Sequence, residues 1–261
     1  GPWYFYHLIL FYALTHLAAG VWIVNGILSV VTVLVLYYLG KEIQDEKLGL
    51  IMAFLAAITP AQNAIASSSS NPNIVVLYSA LTFLGLIKIL RQKHTSLLWA
   101  GVIGICIGIA INAHYQALLL LIIPWYLLFF SPDQKVKRFL GSLLGIFLTF
   151  LPLLFFNLTN HWHTLRNFIY YSLHGRGLIY VPNSWTIYLR DFWPEVVKEF
   201  FGVPLPLALV IILFVGLTIA YLVITRKVSK TFLLCLFFFL ISFLYLRYYW
   251  GERHTVYLYY L

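Results

Sequence analysis

Charge is what this sequence has least of. Of its 261 residues only 8 are Asp or Glu and 17 are Lys or Arg, about 10% against roughly 25% in an average soluble domain. The scarcity is arranged in blocks. No Asp, Glu, Lys or Arg occurs from Gly1 to Gly40, Leu48 to Ile87, Ser96 to Pro132, Phe139 to Leu165 or Phe200 to Thr225. That pattern excludes a soluble globular domain. A helix crossing a bilayer needs roughly 20 apolar residues to cover about 30 Å of hydrocarbon, and several of these blocks hold two such stretches. The alternation of polar and apolar residues that marks a membrane β-barrel is also missing. The spans are therefore expected to be helices, which satisfy their own backbone in lipid.

Cysteine and methionine are almost as rare. Cys106 and Cys235 both lie in apolar runs, and two such cysteines give neither a disulfide framework nor a metal motif. The chain opens Gly1-Pro2-Trp3, its one methionine is Met52, and no signal-peptide pattern precedes the first apolar run. The expectation is an N-terminally truncated fragment of a longer protein. The net charge of +9 does not call for nucleic acid, because cytoplasmic loops facing anionic lipid account for it. Membrane lipids are the expected surroundings.

What the sequence does contain is aromatic and apolar. Turn signals place about eight spans near residues 20–40, 48–66, 74–91, 96–113, 115–130, 138–157, 204–225 and 231–249. An N-terminal helix at 1–18 either crosses the bilayer or lies in its interface, where Trp3, Tyr4, Tyr6 and Tyr12 are at home. The expected fold is thus all-α, a polytopic transmembrane helical protein in which residues 1–261 form a single domain. Lys41/Lys47, Lys88/Arg91/Lys93, Lys135/Lys137/Arg138 and Arg226/Lys227/Lys230 fall at every second connection, as the positive-inside rule requires. The opposite, extracytoplasmic face then receives the Ser67–Asn73 loop, the His114 turn, an extracytoplasmic loop at 158–203 and the 247–261 tail. Seven of the eight histidines, all but His94, lie at or near that face.

The 158–203 loop carries most of the polar chemistry. His161-x-His163 is the candidate metal pair, and a divalent metal the candidate cofactor. Two imidazoles without a third ligand do not by themselves make a site. His174-Gly-Arg176-Gly can bring a cation and backbone N–H groups close to a phosphate. Its second half, Arg190 to Phe201, reads as a short helix started by Asp191, with Pro194 in the first turn. Asn157-Leu158-Thr159 matches a glycosylation sequon but abuts a span. Arg247, Glu252, Arg253 and His254 gather beyond the last span and read as one wall of a polar cavity.

Several stretches carry a family resemblance. They are Gly1-Pro2-Trp3-Tyr4-Phe5-Tyr6, then Thr32-Val-Leu-Val-Leu-Tyr-Tyr-Leu-Gly-Lys41, then Leu55-Ala-Ala-Ile-Thr-Pro60 with the polar Ser67–Asn73 loop after it. Pro152-Leu-Leu-Phe-Phe-Asn157 and Glu252-Arg-His-Thr-Val-Tyr257 join them. In these the chain resembles the membrane-integral C-type glycosyltransferases, nearest to bacterial relatives of the protein O-mannosyltransferases and of the lipid A aminoarabinose transferase. The resemblance implies transfer of a sugar from a polyprenyl-phosphate-linked donor to an acceptor hydroxyl, at the extracytoplasmic face of the bacterial inner membrane. It places the general base on an acidic residue in a first outer loop ahead of Gly1, and Asn73 stands where relatives often carry Asp. Within the chain Glu252 is the alternative base. His174, Arg176, Arg253 and His254 are the expected ligands of the donor phosphate. A transporter or flippase of lipid-linked sugars is the alternative function, and a non-catalytic assembly subunit the next. Against the transporter, no Asp, Glu, Lys or Arg sits mid-span, and no internal repeat is evident.

Overall fold

The structure, a computed structural model, describes residues 2–17, 19–68, 70–91, 97–174, 184–225, 228 and 230–249. Those residues are helical throughout, without a strand. They group into two compact units, Gly1–Ile58 with Gln62–Ile169, and Thr59–Ala61 with Tyr170–Leu261. Six of the eight expected spans each form a single helix, and those near 48–66 and 115–130 are each broken into two helical pieces. In order they are α1 (Pro2–Thr15), α2 (Gly20–Ile43), α3 (Glu46–Ile58), α4 (Pro60–Ser67), α5 (Asn73–Arg91) and α6 (Leu98–Ala113). A 3-10 segment at Tyr115–Leu121 leads into α7 (Ile122–Phe130), followed by α8 (Lys135–Thr159) and α9 (His163–His174).

Helices α2, α5, α8 and α12 (Leu205–Ile224) are long and apolar enough to cross a membrane. The α3–α4 pair, bent by 59° at Thr59-Pro60, makes a fifth candidate. Residues 98–113, 117–130 and 232–244 form shorter apolar helices. Pro60 explains the bend, since it has no amide to give the preceding turn and its ring crowds the carbonyl there. The 14-residue α1 is about 21 Å long, less than the hydrocarbon thickness.

In the first unit the helices approach closely because small residues line their contacts, the usual device where lipid-facing and protein-facing surfaces are equally apolar. A Cβ at Gly104 of α6 would collide with the Ser142 carbonyl of α8, one at Gly108 with Thr149, and one at Gly145 with the Gly101 carbonyl. Gly40 and Gly49 do the same for α2 against α3. Asp45, in the tight turn between those two helices, accepts the Leu48 amide at 2.9 Å and caps α3. The basic clusters of this unit share one end. Lys88 meets Glu42 at 2.8 Å, the Arg91 guanidinium donates to the Glu42 carbonyl, and Gly141, nearly two turns from Lys135, lies near Ala100.

In the second unit, α10 (Ser184–Ile187) runs into a π-helical turn at Tyr188–Phe192, then α11 (Trp193–Phe201), α12 and α13 (Lys230–Tyr249). Its core is aromatic. The Tyr188 hydroxyl, fully buried, donates to the Phe243 carbonyl at 2.6 Å, and Trp193 stacks on Phe243 at 5.2 Å. Gly202 ends α11 at φ +63° and returns its amide to Lys198, a left-handed cap that favours glycine.

One expectation for the 158–203 stretch is corrected, and one helix is added to it: His163–His174 is α9. The turn before it masks this in the sequence: His161 and Trp162, neither a glycine, take φ +52° and +60°. Asp191 does not start the second helix. It lies inside the π-helical turn, and both its carboxylate oxygens are taken by Arg190 at 2.7 and 2.9 Å. The short helix begins two residues later, with Pro194 in its first turn as expected.

Candidate functional site

The end of the first unit opposite its basic clusters gathers buried polar groups from helices far apart in sequence. Asn25 of α2 donates to the Ser68 carbonyl at 2.6 Å and lies 3.3 Å from the Tyr4 hydroxyl. Asn73 donates to the carbonyls of Ile65 and Ser68 at 3.0 and 2.8 Å, closing the α4–α5 turn. His7 faces the Trp3 carbonyl with Nδ1 at 2.6 Å and the Tyr78 hydroxyl with Nε2 at 2.7 Å. A carbonyl only accepts, so Nδ1 carries the proton and Nε2 accepts from Tyr78. Trp3 Nε1 donates to the Thr149 carbonyl at 2.8 Å, on the turn that Pro152 deprives of an amide. These bonds hold α1 against α5 and α8.

Beside this network lies a cavity of about 590 Å³ between the ends of α6 and α8 and the start of α9. Phe147, Phe150, Leu153, Leu154 and Phe168 form most of its apolar wall. Asn112, His114, Asn157 and Thr164 supply its polar atoms. Asn157, 5% exposed, builds the corner. Its amide donates to Leu153 at 2.9 Å, its side-chain oxygen accepts the Leu165 amide at 3.2 Å, and its carbonyl accepts the Trp162 amide at 2.8 Å. A residue so enclosed is no glycosylation acceptor, and the sequon there is a coincidence. Asn112, also 5% exposed, donates to Gly108 at 2.8 Å, while its side-chain oxygen is buried without a hydrogen-bond partner. No carboxylate, ammonium or guanidinium is among the residues that line the cavity. Its size is that of an ordinary small-molecule site.

The residues singled out from sequence are placed differently. His174 ends α9, exposed, stacked on Tyr170 at 4.5 Å with Nδ1 3.0 Å from that residue's carbonyl. Arg176, Glu252, Arg253 and His254 lie outside the described residues. His161 and His163 are both exposed; Asn167 Nδ2 is 3.3 Å from His163 Nδ1. Among the described residues no group of three or more His, Cys, Asp or Glu side chains comes together. The cavity residues were not singled out, yet a signal existed: Asn112, like Asn25, is an amide inside an apolar run, a costly placement that marks a site by default.

No curated protein and no solved structure matches the chain significantly. A family model does, over residues 1–158, from α1 through α8. That stretch is more than half of the chain and contains Asn25, Asn73, Asn112 and Asn157 as well as every helix that frames the cavity except α9. The chain belongs to the dolichyl-phosphate-mannose-protein mannosyltransferase family, and is a multi-pass membrane glycosyltransferase.

Proposed function

We propose that the protein transfers a sugar from a polyprenyl-phosphate-linked donor to an acceptor hydroxyl, at the extracytoplasmic face of the bacterial inner membrane. The observation that carries this is the family match across α1–α8. In the reaction the acceptor oxygen attacks the anomeric carbon, the bond from that carbon to the phosphate oxygen breaks, and the lipid phosphate leaves with the electron pair. A general base takes the acceptor proton, a contribution of typically 10²–10⁴-fold. The resemblance puts that base ahead of Gly1, and Glu252 is the candidate within residues 1–261. The leaving phosphate needs cations, and His174, Arg176, Arg253 and His254 are the ligands proposed.

Reconstituted protein supplied with a polyprenyl-phosphate sugar tests the reading. Arg176→Ala and Arg253→Ala are each expected to weaken donor binding by about 2–4 kcal/mol, measured by titration of the donor. Unchanged affinity in both variants would remove the phosphate site. Turnover abolished by Glu252→Gln would assign the base to Glu252, and turnover that survives the change would assign it elsewhere.

A further inference from the structure

We propose that α9 is a hinged lid on the cavity beside α6 and α8, turning at His161–Trp162 and latched shut by Asn157. The lid rests on the geometry of the first unit and not on the glycosyltransferase reading.

The hinge is strained. His161 and Trp162 join α8 to α9 at φ +52° and +60°, and neither is a glycine. In that conformation a Cβ crowds the following carbonyl oxygen. Strain of this kind persists only where the surroundings hold it, and it gathers at clamps and switch segments. Asn157, in the last turns of α8, does the holding. Its carbonyl accepts the Trp162 amide at 2.8 Å, which closes the hinge. Its side-chain oxygen accepts the Leu165 amide at 3.2 Å, which ties the first turn of α9 back to α8. Its Nδ2 donates to the Leu153 carbonyl at 2.9 Å, and that bond fixes the direction of the oxygen.

Little else secures α9. Among the described residues no other helix packs along its length, and Leu165, Phe168 and Ile169 are each more than 40% exposed. A helix of 12 residues is marginal when it stands alone. What α9 does cover is the cavity, to which Thr164, Leu165 and Phe168 contribute one wall and Trp162 the corner at the hinge. A wall held by so few apolar contacts belongs to the part of a structure that opens at low free energy. Opening relieves two left-handed residues and gives up the bonds to Asn157. The two effects are of similar size, so neither the open nor the shut position dominates by much. That balance separates a lid from a fixed wall.

Thiol labelling reads the lid. Ala113 lines the cavity yet is only 6% exposed, and Cys106, about two turns earlier on α6, is buried and is not part of the lining. Full-length protein carrying Ala113→Cys and Cys235→Ser is treated in nanodiscs with N-ethylmaleimide, and both sites are followed by mass spectrometry. Position 113 is expected to label faster than Cys106. Adding Asn157→Ala should speed labelling at 113 by about fivefold to tenfold and leave Cys106 unchanged. Adding His161→Gly should slow it by about threefold. Glycine takes the left-handed turn without strain, which removes more of the drive to open than its extra freedom restores. The direction of that change decides the matter. A loop that merely flexes would label faster with glycine, and a fixed wall would be indifferent; either result overturns the proposal. So does labelling at 113 no faster than at Cys106. Exposure of Cys106 in the Asn157→Ala protein would also overturn it, because Asn157 would then be holding the bundle and not a lid.

Discussion

Arg138 shows how a charge read as a loop cation can belong to the interior. Its side chain is fully buried; Asp133 meets it at 2.7 Å and the Ser131 hydroxyl at 2.6 Å, while Asp133 itself is 35% exposed. Removing the partly wet partner strands the dry one. Asp133→Ala is therefore expected to destabilise the protein by about 3 kcal/mol, and Arg138→Leu by less, because it removes the charge that needed the partner. Unfolding of the two variants by denaturant in bicelles measures the order. Asp191 is the opposite case, an exposed carboxylate that Arg190 holds below the usual range through its hydrogen bonds. Its folded value lies under its unfolded one, so any stability it lends is present above the unfolded value and lost as pH falls through the folded one. A carboxyl titration followed by infrared spectroscopy should show Arg190→Gln raising the Asp191 midpoint toward the ordinary aspartate value. At this scale the sequence was only partly legible. The amides of Asn25 and Asn112 lie in apolar runs and were passed over, because what they face comes from helices distant in the chain, which spacing does not reveal.

The helices themselves were easier to read, because an unbroken apolar block of membrane length has few alternatives to a helix. The residues that decide how two helices meet were harder. Gly101 and Gly104 look alike in sequence, three positions apart. The structure separates them: nothing lies within 4 Å of a Cβ built at Gly101, while one at Gly104 would strike the backbone of Ser142. Gly104→Ala is expected to cost about 1–3 kcal/mol by forcing α6 from α8. Gly101→Ala is expected to be neutral, or to stabilise by up to about 1 kcal/mol through helix propensity. Thermal unfolding of the two single variants tests the pair, and equal effects would contradict the packing. The helix α9 escaped the sequence reading because two residues in left-handed conformation precede it, and at about 1–2 kcal/mol each nothing local announces them. The bonds that Asn157 makes to both sides of that turn hold it.

For the whole molecule the basic clusters supply the orientation. Where they are described, Lys41, Lys88 and Lys135 stand at the C-terminus of α2, the C-terminus of α5 and the N-terminus of α8. Positions 44, 92, 136 and 228, replaced singly by cysteine, are expected to label from the cytoplasm, and 70, 175 and 252 from outside. Reversed labelling at two adjacent connections would overturn the proposed orientation. Glu42 already meets two of the cations at that end. Removing it by Glu42→Gln should thus leave the labelling pattern intact, since acidic residues contribute little to the positive-inside rule.

The glycine seam has a consequence for how the protein is made. Its two sides, α6 and α8, are separated in the chain by α7, so α6 must enter the membrane before its partner exists. From the end of α6 at Ala113 to the end of α8 at Thr159 is 46 residues, about two to nine seconds of synthesis at roughly 5–20 residues per second. Through that interval the groove along Gly104 and Gly108 is open, and lipid tails or an insertion chaperone must occupy it. A nascent chain stalled at a length that has brought α6 but not yet α8 out of the ribosome would therefore be crosslinkable along that groove, and emergence of α8 would extinguish the crosslink as it closes over α6.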